Sequence, residues 1–131
     1  MIGVDTNVLV RYFVRDDPHQ TQAADELLDA LSSEKPGWIC LIVLVELVWA
    51  LRFPYRIERA KIVGTIEALL RARDVVLEQE ATVRQALSLF RKSNADFADC
   101  LISLSARAAG CSKTVTFDKI AARDAGMELI A

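Results

Sequence analysis

Four acidic residues interrupt otherwise apolar stretches of the chain. They are Asp5 in IGVDTNVLV, Glu46 in VLVELVW, Asp99 in DFADCLI and Asp118 in TVTFDKI. Most other acids lie in polar surroundings and are expected to begin helices, to form turns or to pair with nearby bases; examples are Asp16 and Asp17 in RDDPHQ and Glu78 and Glu80 in LEQEAT. A carboxylate in an apolar setting is costly unless it is paired or bound to a metal. These four acids are therefore the candidate functional residues.

A divalent cation is the simplest way to hold several carboxylates together. Without a counter-charge such a cluster repels itself and raises its own pKa values. Oxygen ligands suit Mg²⁺ or Mn²⁺, and Mg²⁺ commonly keeps several waters and takes substrate phosphate oxygens as well. A site of this kind would serve phosphodiester hydrolysis.

Other polar residues stand beside these acids. Asp96 lies three residues before Asp99, on the same helical face, but is expected to be a helix N-cap. Thr6 could hold a water or hydrogen-bond to the acids, but capping the first helix is its expected role. Asn7 and Thr116 could hold waters or hydrogen-bond to the acids, or could form caps and turns.

Other catalytic chemistries lack their residues in this sequence. The single histidine, His19, sits in DDPHQ at a polar helix start, and none of the nucleophile-elbow, Walker, dinucleotide or HExxH motifs occurs. Cys40, Cys100 and Cys111 show no CxxC spacing, so they are expected to be reduced, mostly buried thiols rather than zinc ligands. Cys100 has no histidine placed to activate it, so packing is its expected role.

Strands and helices alternate along the chain and would position the acids. The pattern predicts strands over 1–4 (buried), 37–40, 75–77, 114–117 and 127–130. Three helices are predicted that contain Val8, Ala23 and Leu44, respectively. Further helices are predicted over 58–73, 82–92, 97–109 and 120–125. This order predicts one α/β domain over 1–131, a three-layer α/β/α sandwich with a mainly parallel sheet. Asp5 and Asp118 would follow strands at their carboxyl ends, the edge where such sheets bind ligands.

Charge and hydropathy limit the remaining possibilities. The apolar run over 38–53 contains Glu46 and Arg52 and is too short for a membrane span, so it is expected to be buried core. With no signal-peptide pattern at the start, a cytoplasmic protein with no membrane partner is expected. The net charge of −2 argues against broad phosphate binding. A bound cation could reverse the local field, and Arg11, Arg15 and Lys119 are either phosphate contacts or ordinary surface charges.

The stretches that contain the acids resemble the PIN-domain family, and most closely its VapC group of toxin ribonucleases. The matching stretches are VDTNVLVRY at 4–12, LVELVWAL at 44–51, NADFADCLISLSA at 94–106 and TVTFDK at 114–119. The resemblance implies a three-layer α/β/α fold and Mg²⁺- or Mn²⁺-dependent endonucleolytic cleavage of RNA. It implies that Asp5, Glu46 and Asp99 form the main metal-binding set, that Asp118 is a weaker or second-metal ligand, and that Thr116 supplies an auxiliary hydroxyl. The third acid is placed at Asp99 rather than Asp96 because the apolar pair Cys100 and Leu101 follows it.

The resemblance also implies partners. Similar proteins are homodimers and are inhibited by a cognate VapB antitoxin whose C-terminal segment lies across the active cleft. Two alternatives stay open from the sequence: a PIN-domain nuclease that processes RNA or DNA outside a toxin module, and a PIN-like binding module that does not cut.

Overall fold

The computed structural model describes all residues, 1–131, and these group into two compact units. The N-terminal unit is Met1–Glu78 and the C-terminal unit is Gln79–Ala131. The expectation of one domain over 1–131 stays a prediction.

The N-terminal unit is built on a parallel sheet. Its elements are β1 (Ile2–Gly3), α1 (Thr6–Val14), α2 (Pro18–Asp29), β2 (Gly37–Ile39), α3 (Leu41–Arg52), α4 (Arg59–Arg71) and β3 (Val75–Leu77). The strands lie in the order β1-β2-β3, and both pairings are parallel. Ile2 aligns with Gly37, which in turn aligns with Val75. Because parallel neighbours need a crossover, helices separate these strands along the chain.

Gly37 allows β2 to approach its neighbours closely. A Cβ atom at this position would lie 2.9 Å from Cδ1 of Leu31 and 3.1 Å from Cγ2 of Val4. Both neighbours are buried, so they have little room to move. A glycine at position 37 thus meets a packing requirement.

The core of the N-terminal unit comes mainly from one face of each helix. Helix α3 buries Leu44, Leu47 and Leu51 almost completely, and Leu9 of α1 is buried as well. Leu44, Leu47 and Leu51 are spaced as on one face of a helix. This packing of α1 and α3 positions the residues at the start of α1 and in the middle of α3.

The C-terminal unit pairs two long helices and adds a small sheet. Its elements are α5 (Glu80–Lys92), α6 (Phe97–Ala108), β4 (Val115–Thr116), α7 (Lys119–Asp124) and β5 (Glu128–Leu129). Helices α5 and α6 pack through an edge-to-face contact of Phe90 with Phe97, with ring centroids 5.6 Å apart. Strands β4 and β5 are parallel. Gly110, with φ +96, ends α6, and the N–H of Cys111 reaches the carbonyl of Ala106 as in a Schellman motif.

Three burial expectations were wrong. The first strand is not buried, since Ile2 is 49% exposed. The apolar run over 38–53 is buried on one face only, because Ile42, Trp49 and Phe53 are 71%, 59% and 50% exposed. Of the three free cysteines only Cys100 is buried, whereas Cys40 is half-buried and Cys111 exposed. No helix combines the length and apolar character needed to cross a membrane.

Candidate active site

Asp5 and Asp118 occupy equivalent positions in the two units. Each follows a strand, β1 or β4, and is the N-cap of the helix that comes next. Oδ1 of Asp5 accepts a hydrogen bond from the N–H of Thr6 at 2.7 Å. Oδ1 of Asp118 accepts from the N–H groups of Ile120 and Ala121 at 2.8 and 3.0 Å. Each cap satisfies helix donors and sets a negative charge at the positive end of the helix.

Glu46 is joined to the start of α1 by a hydrogen bond. The hydroxyl of Thr6 donates to Oε1 of Glu46 at 2.6 Å, across 40 residues of sequence. The sequence predicted Thr6 as the cap of α1, and this was wrong. Asp5 is the cap, and Thr6 is the first helical residue. Thr6 thus contacts both Asp5, through its backbone N–H, and Glu46, through its side chain.

The acids of the C-terminal unit influence one another electrostatically. The pKa of Asp99 is raised, first by partial burial and then by the negative charges of Asp96 and Asp118. Asp96 is the N-cap residue of α6, as predicted, but its side chain makes no capping hydrogen bond. The hydroxyl of Thr116 accepts a hydrogen bond from the N–H of Asp118 at 3.0 Å and so fixes the turn before α7.

Burial separates these acids from their sequence neighbours. Asp5, Glu46 and Asp118 are exposed, and Asp99 is half-buried. Val4 and Leu9, by contrast, are 5% and 1% exposed. The apolar context in the sequence therefore marks the buried elements that hold the acids, and does not mark buried carboxylates.

The other predicted polar residues differ in their contacts. Asn7 is exposed in the first turn of α1. Arg15 forms a two-pronged ion pair with Asp25 at 2.9 and 2.6 Å, which favours the surface-charge interpretation. Arg11 bonds to Asp16 and to the hydroxyl of Tyr55. The only basic side chain next to a candidate acid in sequence, Lys119, is exposed.

Sequence reasoning missed Glu78, which supports the helix that carries Glu46. Glu78 was expected to begin a helix, form a turn or pair with a nearby base, yet its Oε1 accepts a hydrogen bond from the N–H of Leu41, in a distant helix, at 2.8 Å. The N-cap residue of α3, Cys40, makes no capping bond with its side chain. Glu78 thus caps α3 from 37 residues away. No local pattern of sequence indicates such a long-range cap.

The donor atoms of the candidate acids fit a hard divalent cation. In Asp5, Glu46 and Asp118 one carboxylate oxygen is used in a hydrogen bond, and the second oxygen of each makes none. Carboxylate oxygens are the ligands that Mg²⁺ and Mn²⁺ prefer. In the structure no three or more His, Cys, Asp or Glu side chains form a group that could hold a metal ion.

Comparison with known proteins identifies the family of this fold. The profile of the PIN domain matches residues 2–126, and the chain belongs to this family. The predicted fold class, a three-layer α/β/α sandwich with a mainly parallel sheet, is confirmed by this membership and by the parallel pairing of every strand. The chain is also similar to the VapC ribonuclease of Aquifex aeolicus (strain VF5), with 27% identity over 117 residues that cover 88% of this chain and 86% of the relative.

Proposed function

We propose that this protein is a metal-dependent endoribonuclease of the VapC type and acts as the toxin of a type II toxin-antitoxin module. The proposal is supported by family membership and by similarity over most of the chain to a VapC ribonuclease. The observation that carries it is the state of Asp5 and Asp118 at the carboxyl ends of β1 and β4. Each binds helix N–H groups through one oxygen and keeps the other free.

In this proposal Asp5, Glu46 and Asp99 bind Mg²⁺ or Mn²⁺, and Asp118 is a weaker ligand or binds a second ion. When bound, the cation supplies a water of lowered pKa for in-line attack on a phosphate. The protein's own acids hold that cation directly or through water. The pKa of Asp99 is raised partly by the negative charges of Asp96 and Asp118. A bound cation would reduce this repulsion at Asp99 directly.

The basic residues divide into those available to RNA and those already engaged. Both terminal nitrogens of Arg15 bond to Asp25, whereas Arg11 uses Nε and Nη1 and keeps Nη2 without a hydrogen bond. Arg11 and Lys119 therefore remain as candidate phosphate contacts. Arg11 is oriented by Asp16 and Tyr55 and lies on the helix that begins beside Asp5. An RNA substrate agrees with the predicted cytoplasmic location.

Cleavage of RNA by the purified protein tests the proposed activity. We expect cutting in Mg²⁺ or Mn²⁺ and none after chelation. Asp5→Asn and Asp99→Asn should each lower the rate by about tenfold or more, since losing a group of the metal site typically costs 10- to 100-fold. Glu34→Gln, which changes an exposed acid in a polar turn, is the matched control. Unchanged cleavage in both Asn variants would overturn the assignment.

The partners are part of the same proposal. A VapB-like antitoxin and a second copy of the chain are the expected protein partners. The exposed apolar side chains of α3 and its end, Ile42, Trp49 and Phe53, are of the kind that protein interfaces cover. Light scattering during size-exclusion chromatography should give the mass of a dimer, and Trp49→Glu tests whether α3 contributes to it.

A further inference from the structure

We propose that Thr6 is a positioning residue that sets the Glu46 carboxylate, and with it the Asp5 carboxylate, in the orientation that binds the divalent cation. This inference rests on the proposed function. It adds a role for Thr6, which would not touch the cation itself and would act through the two acids.

The contact geometry carries the inference. The Thr6 hydroxyl lies 2.6 Å from Oε1 of Glu46, and the Thr6 N–H lies 2.7 Å from Oδ1 of Asp5. One residue therefore orients two carboxylates that lie on different elements. The second oxygen of each carboxylate makes no hydrogen bond and is left for the cation.

Glu46 has no other means of orientation in the N-terminal unit. Its side chain is exposed, and the bond from Thr6 is its one hydrogen bond in the structure. A free glutamate side chain samples many rotamers and must lose that freedom when it binds a ligand. A donor that holds one oxygen in place reduces this loss before the cation arrives.

Thr6 is suited to hold a fixed orientation. It is the first residue of α1, and α1 packs against α3, which carries Glu46. The branched side chain of threonine restricts χ1, so the hydroxyl samples few directions. Leu9 of α1 and Leu44 of α3 are both buried, and the packing of α1 against α3 holds donor and acceptor close together.

Mn²⁺ binding measured by calorimetry or electron paramagnetic resonance, without RNA, is the direct test. Thr6→Val keeps the shape but removes the donor, and we expect Mn²⁺ affinity about tenfold lower. Thr6→Ser keeps the hydroxyl and should bind within about threefold of the wild type, because only the χ1 restriction is lost. Thr65→Val is the matched control, since Thr65 is a helical threonine whose hydroxyl bonds only to the carbonyl of Lys61. It should leave Mn²⁺ affinity unchanged.

Cleavage assays give a second readout. In Thr6→Val the Mg²⁺ concentration for half-maximal cleavage should rise by about the factor lost in Mn²⁺ affinity. The rate at saturating Mg²⁺ should fall by less, because excess cation compensates for poor orientation. Thermal melting reports folding of each variant, and Thr6→Ala replaces Thr6→Val if the latter does not fold.

A Glu46→Gln background separates this inference from the proposed function. In that background Thr6→Val should weaken Mn²⁺ binding no further, since the carboxylate that Thr6 orients is gone. Three outcomes would each overturn the positioning role while leaving the nuclease proposal intact. Thr6→Val could lower Mn²⁺ affinity equally with and without the Glu46 carboxylate, folded Thr6→Val could bind Mn²⁺ like the wild type, or Thr6→Ser could bind Mn²⁺ as weakly as Thr6→Val. If the wild type neither binds Mn²⁺ nor cuts RNA, the proposed function itself fails and the inference fails with it.

Discussion

At the scale of single residues, two candidate acids serve the fold as well as the site. Asp5 and Asp118 each cap a helix with one oxygen. Replacing either acid therefore affects both helix stability and the candidate site, and an activity assay alone would not distinguish the two effects. The choice of substitution can separate them, because asparagine caps helices about as well as aspartate and alanine does not.

Asp118→Asn and Asp118→Ala should therefore differ in stability and agree in activity. Asp118→Ala removes the acceptor for the N–H groups of Ile120 and Ala121 and should lower the free energy of unfolding by about 1 kcal/mol. Asp118→Asn should lie near the wild type in urea denaturation, yet both variants should cut RNA more slowly. Equal destabilisation by the two substitutions would contradict the capping role.

Asp99 should make the protein less stable as the pH rises. Its pKa is raised by burial and by Asp96 and Asp118, so the folded state holds the proton more tightly than the unfolded state does. Stability is then lost as pH increases from the ordinary aspartate value of about 4 through the raised pKa.

We expect Asp99→Asn to raise the melting temperature at pH 7 in the absence of divalent ions, and to lose this advantage below about pH 4. Added Mg²⁺ should narrow the difference at pH 7, because the cation neutralises the carboxylates of the wild type. Asp96→Asn should give part of the same gain. A variant that is no more stable than the wild type at neutral pH would show that burial and repulsion at Asp99 have little energetic effect.

At the scale of elements, the sequence predicted what depends on local pattern. The strands and helices occur where the hydrophobic period and the residues that end elements indicate. In α5, for example, the buried residues Val83, Ala86, Leu87 and Phe90 form one helical face. Asp5 and Asp118 were recognised at strand ends for the same reason.

Properties that depend on distant residues escaped prediction. The bond of Thr6 to Glu46 and the cap of α3 by Glu78 join residues 40 and 37 positions apart, and neither has a local signature. The exposure of one face of α3 also escaped prediction, since apolar residues occur all around this helix and its amphipathic period is weak.

Glu78→Ala should destabilise the N-terminal unit by about 1 kcal/mol. Its carboxylate satisfies the N–H of Leu41 and lies at the positive end of α3, so truncation leaves a helix donor without its protein partner. Glu80→Ala is the matched control: Glu80 forms an exposed i,i+4 pair with Arg84 at 2.7 Å, a contact worth about 0.5 kcal/mol or less. Equal denaturation midpoints for the two variants would show that the long-range cap contributes nothing special.

At the scale of the whole molecule, the charge balance limits how RNA can be held. The chain has 16 basic and 18 acidic side chains, and several of the bases are engaged in ion pairs, among them Arg15, Arg84 and Arg123. Proteins that bind nucleic acid through many phosphate contacts show a basic excess and a steep salt dependence. In the proposed function, a cation at the acidic site would therefore supply much of the attraction for phosphate.

RNA binding should accordingly depend strongly on divalent ions and weakly on monovalent salt. With Arg11 and Lys119 as the candidate phosphate contacts, the slope of log affinity against log salt should be about −1.4, from about −0.7 per contact on single strands. Chelation should lower affinity by about tenfold or more, measured by fluorescence anisotropy on a phosphorothioate RNA that is cut slowly. A slope of −4 or steeper that is insensitive to chelation would mean that basic side chains bind the backbone by themselves. In that case the acids would contribute repulsion, and the cation would act in the chemical step rather than in binding.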